Sequence, residues 1–293
     1  TFQACFTENG TVLIVDPGNG VAEINPSDGS LVRRYEEGIR VDFIGTAGKM
    51  LFTIQDQTLH GYDLDTGVIK AAEECGCIIQ GVTPDSFGLF DMIIVGLHPD
   101  AAKQFMNGYL SSFKKGAILA DVCGIKGRMT VEMTDLAARY GVCYVGTHPM
   151  AGKERFGFEF SDGSLFIGAN FIITPLEKTD KHAVLTVEKL AKEIGFGRIV
   201  ETTPFIHDSV IAYTSQLAHV VSSAYVKSPT MQKEFGFSAG SFKDMTRTAT
   251  LNESMWTSLF LENRDCLIYE IDQLICHLSE YRNAIFNNDS KAL

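Results

Sequence analysis

The chain lacks any apolar run approaching the roughly 20 residues of a membrane span, so no membrane association is expected. No charged-then-apolar segment opens it, and Thr1 stands where a Met would begin a gene product; the expectation is a cytoplasmic protein. Basic residues are scarce, with 25 Lys and Arg against 36 Asp and Glu and a net charge of −11. That balance argues against nucleic acid, whose phosphates need a basic face. Local Arg and His residues can still hold an anionic small molecule. Seven cysteines, an odd number, are scattered, and Cys75-x-Cys77 is not a zinc spacing. Buried or incidental thiols in a reducing cytosol are expected, and no metal site. Also missing is a Gly-x-Gly-x-x-Gly turn ahead of "HGYD", His60–Asp63.

What is present is ordinary for a globular protein: 45% hydrophobic and 21% charged residues, and 293 residues, enough for two domains with separate cores. Residues 1–57 read as strands and turns. "TVLIVDPGNGVAEINPSDG" is strand, turn, strand, turn, because Pro17, Gly18, Asn19 and Gly20 cluster between apolar runs. "KMLFTIQDQTLHGYDLDTG" repeats the plan, its last glycine 67 − 29 = 38 positions on. The two copies suggest blade-like β-hairpin units, and their turns weakly resemble those of quinoprotein-type β-propeller repeats.

From residue 58 to 204, strands and helices alternate. Thr66–Gly76 reads as a helix with Thr66 as cap and Gly76 as stop. "DMIIVGLHP", "GAILADVCG", "VCYVGTHPMAG", "ANFIITP" and "RIVET" read as strands. Asp100–Phe113, "MTVEMTDLAARYG" and "KHAVLTVEKLAKEIG" read as helices. The alternation predicts an α/β, Rossmann-like domain with a mainly parallel sheet and helices on both faces. Residues 205–293 read as an all-α domain: a long helix over "IHDSVIAYTSQLAHVVSSAYV" and one of about thirty residues over "NESMWTSLFLENRDCLIYEIDQLICHLSEYRNAIF". Helices of this length need partners, which an interlocked homodimer would supply.

Three linked stretches, "VGTHPMAGKERFG", "HDSVIAYTSQLAH" and "GFSAGSFKDMTRTA…ESMWTSLFLENRD", resemble prephenate dehydrogenases of tyrosine biosynthesis, and "DVCGIKG" fits with them. The resemblance runs from about Leu59 to the end of the chain. It implies oxidative decarboxylation of prephenate, with hydride passing to NAD and a base taking the hydroxyl proton. His148 matches the family's catalytic histidine, and an imidazole takes protons near neutrality. Its position reads as a loop just after a strand, with Pro149 fixing the turn. Arg247 matches the family's carboxylate-binding arginine, and a guanidinium grips a carboxylate through two parallel hydrogen bonds. His219 matches a substrate-site histidine. Ser215 and His207 share its helix and rank lower, His207 as a core residue. Twelve positions separate His207 from His219, so both could face one cleft. Lys126 is placed toward substrate or cofactor. Gly124 stands where members of that family often carry a serine; hydroxyl help would come from Thr147 or from water.

The cofactor side is divided. Asp63 ends an apolar run where a Rossmann fold places its ribose acid, and a carboxylate there favours NAD over NADP. Gly96 and His98, after the next strand, are further candidates. Gly45 and Gly48 in "VDFIGTAGKM" are the nearest substitute for the missing turn, 18 positions before Asp63 in the case of Gly45. The alternation around Phe52, Thr53 and Ile54 favours strand over helix, and so β-hairpins in place of the first βα unit. The expectation is therefore an NAD-dependent prephenate dehydrogenase, homodimeric, its activity in question because the glycine turn is missing. The alternatives are arogenate as substrate, or a hybrid that keeps the helical dimer and ligand pocket without a working cofactor site. Another member of the wider β-hydroxyacid dehydrogenase group is disfavoured by the "THPMAG" and "KDMTR" pairing.

Overall fold

A computed structural model describes residues 3–6, 12–16, 20–24, 31–35, 49–55, 58–153 and 157–293, with side chains described from residue 59 onward except residue 159. The chain divides into two compact units, Thr1–Thr203 and Pro204–Leu293.

In the first unit, β1 (Gln3–Phe6), β2 (Val12–Asp16), β3 (Gly20–Ile24) and β4 (Leu31–Tyr35) form a four-stranded antiparallel meander. The second 38-residue copy does not build another meander. Its strands β5 (Lys49–Gln55) and β6 (Thr58–Tyr62) pair antiparallel and join a seven-stranded sheet of order β11-β10-β9-β8-β7-β5-β6. The other strands are β7 (Met92–Leu97), β8 (Ile118–Asp121), β9 (Cys143–Met150), β10 (Asn170–Ile173) and β11 (Arg198–Glu201). The centre is Rossmann-like, with β7, β8 and β9 parallel; β10 runs antiparallel to β9 and parallel to β11.

Strand β7 shows why both faces are covered. Successive side chains point to opposite faces. Met92 and Ile94 belong to one apolar cluster, with Ala72 of α1 (Thr66–Glu74) and Val187 and Leu190 of α4 (Lys181–Ile194). Ile93 and Val95 belong to the other, with Phe105 and Met106 of α2 (Pro99–Tyr109) and Met129 and Met133 of α3 (Gly127–Arg139). A strand buried on both sides must be continuously apolar, which is how "MIIV" reads.

Helix ends follow local chemistry. Pro99 opens α2, where its missing N–H costs nothing. Asp180 caps α4 through Ala183 N–H, and Gly195 ends it at φ 104°. For α1 the cap is Asp65, which accepts from Gly67 N–H, rather than Thr66; a carboxylate one residue earlier reaches the free amide.

The second unit is helical: α5 (Pro204–Ile211), a π-helical stretch Ala212–Gln216, α6 (Leu217–Tyr225), α7 (Gly240–Thr246), α8 (Glu253–Glu262) and α9 (Arg264–Phe286). The expected thirty-residue helix is thus two helices that part at Asn263. That side chain is buried, and its amide donates to Asp208 O and Gln216 Oε1, both at 2.8 Å. Gln216 Nε2 in turn donates to Leu259 O at 2.9 Å. Backbone continuity is exchanged for a closed polar network across the helices.

Candidate active site

In an open α/β sheet, ligands lie beyond the carboxyl ends of the parallel strands. Strand β8 ends at Asp121, level with Gly146 of β9. Strand β9 continues, so Thr147 and His148 overhang the end of β8. His148 is half-buried and lies within β9, paired in register with Ile172 of β10, and Pro149 is paired with Phe171. The loop expected at His148 is therefore strand: β10 extends the ladder past the point where β8 stops.

At the end of β8 lies a buried polar group of which sequence reading had named only Lys126. Asp121 is fully buried and accepts from Lys126 Nζ, from Tyr144 Oη at 2.6 Å and from Cys123 N–H at 3.0 Å. Burial, with the Asp121 charge beside it, pushes the Tyr144 hydroxyl well above its ordinary pKa, so it stays a donor. Lys126, expected toward substrate or cofactor, is fully buried and ion-paired with Asp121. Thr147 Oγ1 donates its proton to the Asp121 carbonyl and keeps its acceptor lone pairs. Gly146 fits because a Cβ there would lie 2.7 Å from both Thr130 Oγ1 and Thr174 Oγ1 and 3.3 Å from Lys126 Cδ. The signal in the sequence was an acid closing an apolar strand with a lysine five positions on.

On the cofactor side, Asp63 follows β6 at the carboxyl edge, 8% exposed, with Oδ1 accepting Asp65 N–H at 2.8 Å. Gly96 lies within β7, and His98 is the N-cap of α2, its pKa lowered by burial. The edge and the ribose acid fit a dinucleotide. Among the described residues, strand β5 supplies no phosphate cradle. Strand β5 lies between β6 and β7, where the first Rossmann strand belongs, but runs antiparallel to both, with Lys49 opposite Leu97. It begins at the carboxyl edge instead of ending there, so it delivers no helix N-terminus to a pyrophosphate. Gly45 and Gly48 lie outside the described residues. Lys49–Gln55 is strand, as its alternation favoured.

In the second unit, His219 is half-buried on α6. Its Nδ1 lies 3.0 Å from Thr248 O, an acceptor only, so Nδ1 carries the proton and Nε2 a lone pair. Burial lowers its pKa, the Thr248 bond opposes this, and the Arg247 charge lowers it further. Trp256 covers the ring at a centroid distance of 3.8 Å. Arg247 is exposed. His207 is buried and 2.7 Å from Asp208, a satisfied core residue. The π-helical stretch that carries half-buried Ser215 lies between the two histidines, so they do not share the simple helical phase expected of them.

The family model for the prephenate dehydrogenase nucleotide-binding domain matches residues 48–201, and that for the prephenate dehydrogenase dimerization domain matches residues 203–293. The chain belongs to the prephenate dehydrogenase family. It is 31% identical to prephenate dehydrogenase of Bacillus subtilis over 62% of this chain and 50% of that protein. It is 32% identical to cyclohexadienyl dehydrogenase of Zymomonas mobilis over 62% of this chain and 63% of that protein. It thus spans half to under two thirds of the length of these relatives. The crystal structure of prephenate dehydrogenase from Aquifex aeolicus in complex with hydroxyphenyl propionate and NAD⁺ superposes with a TM-score of 0.70 at 26% identity, covering 78% of this chain and 82% of that one. The chain therefore shares the fold of this family's nucleotide-binding and dimerization domains. Among the described residues, no helix is long and apolar enough to cross a membrane.

Proposed function

We propose that the chain carries out the oxidative decarboxylation of prephenate to 4-hydroxyphenylpyruvate, with NAD as cofactor. The observation that carries this reading is His148, on the part of β9 that runs past the end of β8, in a chain matched along residues 48–201 and 203–293 by the two prephenate dehydrogenase family models. NAD, when bound, supplies the hydride acceptor. His148 takes the proton of the ring hydroxyl, a task suited to an imidazole near neutral pH. Arg247 binds a substrate carboxylate. His219, neutral and with Nε2 as acceptor, takes a hydrogen bond from a substrate hydroxyl, and Ser215 supports that contact. Asp63 takes the ribose hydroxyls of NAD, and Gly96 and His98 lie along its path. The protein works as a homodimer through residues 203–293, in the cytoplasm.

Two measurements test this. Purified protein given prephenate and NAD⁺ should form NADH between about pH 6 and 9; no NADH anywhere in that range overturns the activity. Calorimetry with NAD⁺ tests the altered edge. A second reading, a ligand-binding remnant, is favoured by one observation, the reversed strand β5. It predicts no heat with NAD⁺ but retained binding of 4-hydroxyphenylpyruvate. Arogenate is the alternative substrate, separated from prephenate by comparing kcat/KM.

A further inference from the structure

Helix α1 ends at a left-handed glycine, and the residues on either side of that glycine are cysteines. Gly76 has φ 75°, its N–H bonds Glu73 O at 3.0 Å, and Cys77 N–H bonds Ala72 O at 2.9 Å. This pair of bonds is a Schellman cap, with Cys75 at the cap position and Cys77 two residues on. The cap folds the chain back on itself, and the two Sγ atoms lie 2.9 Å apart. That is under one ångström longer than a disulfide bond of about 2.05 Å. Cys75 is exposed and Cys77 half-buried. Residues beyond the cap are anchored to β6, through Ile79 N–H to Leu59 O at 2.9 Å and Val82 N–H to Gly61 O at 2.9 Å. Backbone bonds on both sides therefore hold the two sulfurs together, and little chain freedom remains to be lost when they join.

We propose that Cys75 and Cys77 form a reversible thiol–disulfide site that exchanges with small-molecule disulfides of the glutathione type. The Cys75 thiolate attacks one sulfur of RS–SR, forming a mixed disulfide and releasing one RS⁻. The Cys77 thiolate then attacks Cys75 Sγ, forming the Cys75–Cys77 bond and releasing the second RS⁻. Two protons leave the protein thiols, the protein loses two electrons, and RS–SR is reduced to two RSH. Exposure of Cys75 makes it the entry sulfur, and Cys77 resolves.

The test is equilibration of the intact protein in glutathione redox buffers, then alkylation, trypsin digestion and mass spectrometry. The peptide spanning residues 71–103 contains Cys75 and Cys77 and no other cysteine. Under oxidising ratios it should lose two hydrogens, without added glutathione, and regain them under reducing ratios. In Cys77→Ser the same peptide should instead retain glutathione on Cys75. Persistent glutathione on Cys75 in the unaltered protein, a cross-link from either thiol to another cysteine, or a peptide that stays reduced at every ratio overturns the proposal.

Discussion

At the scale of single residues, the candidate groups differ sharply in burial. His148 sits half-buried within β9, past the end of β8. If it is the base, His148→Asn should lower kcat by about 10²–10⁴-fold with little change in substrate affinity, since asparagine keeps polarity but takes no proton. Arg247 is exposed, so Arg247→Ala should leave stability nearly unchanged and raise KM for prephenate about 10- to 100-fold; an unchanged KM would remove it from the substrate site. Lys126 behaves oppositely. Lys126→Met would strand the fully buried Asp121 carboxylate, and urea denaturation should show a loss of about 3–5 kcal/mol. The family was legible from the short, contiguous motifs that surround His148 and Arg247. The task of Lys126 was not, because a lysine in "GIKG" reads the same whether its ammonium meets solvent or a carboxylate; Asp121, five residues earlier, decides it through the turn between β8 and α3.

Among the elements, those with strong local signals match their reading. Strand β7 is a continuous apolar run, and α4 carries its cap and its stopping glycine in sequence. Departures occur where a distant partner competes with the local pattern. Nothing in the apolar spacing from Glu253 to Phe286 marks a break at Asn263, because the amide that makes the break worthwhile bonds to Asp208 and Gln216, some fifty positions earlier. Asn263→Ala should remove both bonds and leave the Gln216 side chain short of a partner. The expected cost is about 1–3 kcal/mol in chemical denaturation, with the helix content of the folded state retained. Strand β5 shows the same principle in the sheet. Its alternation made it a strand, but its direction against β7 depends on pairing that no single segment encodes.

For the whole molecule, acid sensitivity follows from histidines whose surroundings oppose charge. His60, His98 and His219 each have pKa values lowered from 6.5, chiefly by burial. Above that value the folded and unfolded chains both hold neutral imidazoles. Below it the unfolded chain binds protons more readily, so stability should fall as pH drops through the region just under 6.5. Denaturation midpoints across that range should show the fall, and His219→Phe should flatten it. The sequence by itself determined the alternation of strands and helices, the helical character of the chain after residue 204, the family, and the presence of an acid at Asp63 without a glycine turn before it, since these rest on residue order and short spacings. Only the tertiary structure decided that β5 runs against its neighbours, that Lys126 pairs with Asp121, that Thr147 gives its proton to the Asp121 carbonyl, and that Cys75 and Cys77 lie sulfur to sulfur. Each of these depends on which atoms meet after the chain folds, and burial or backbone pairing at that point outweighs what any one residue favours alone.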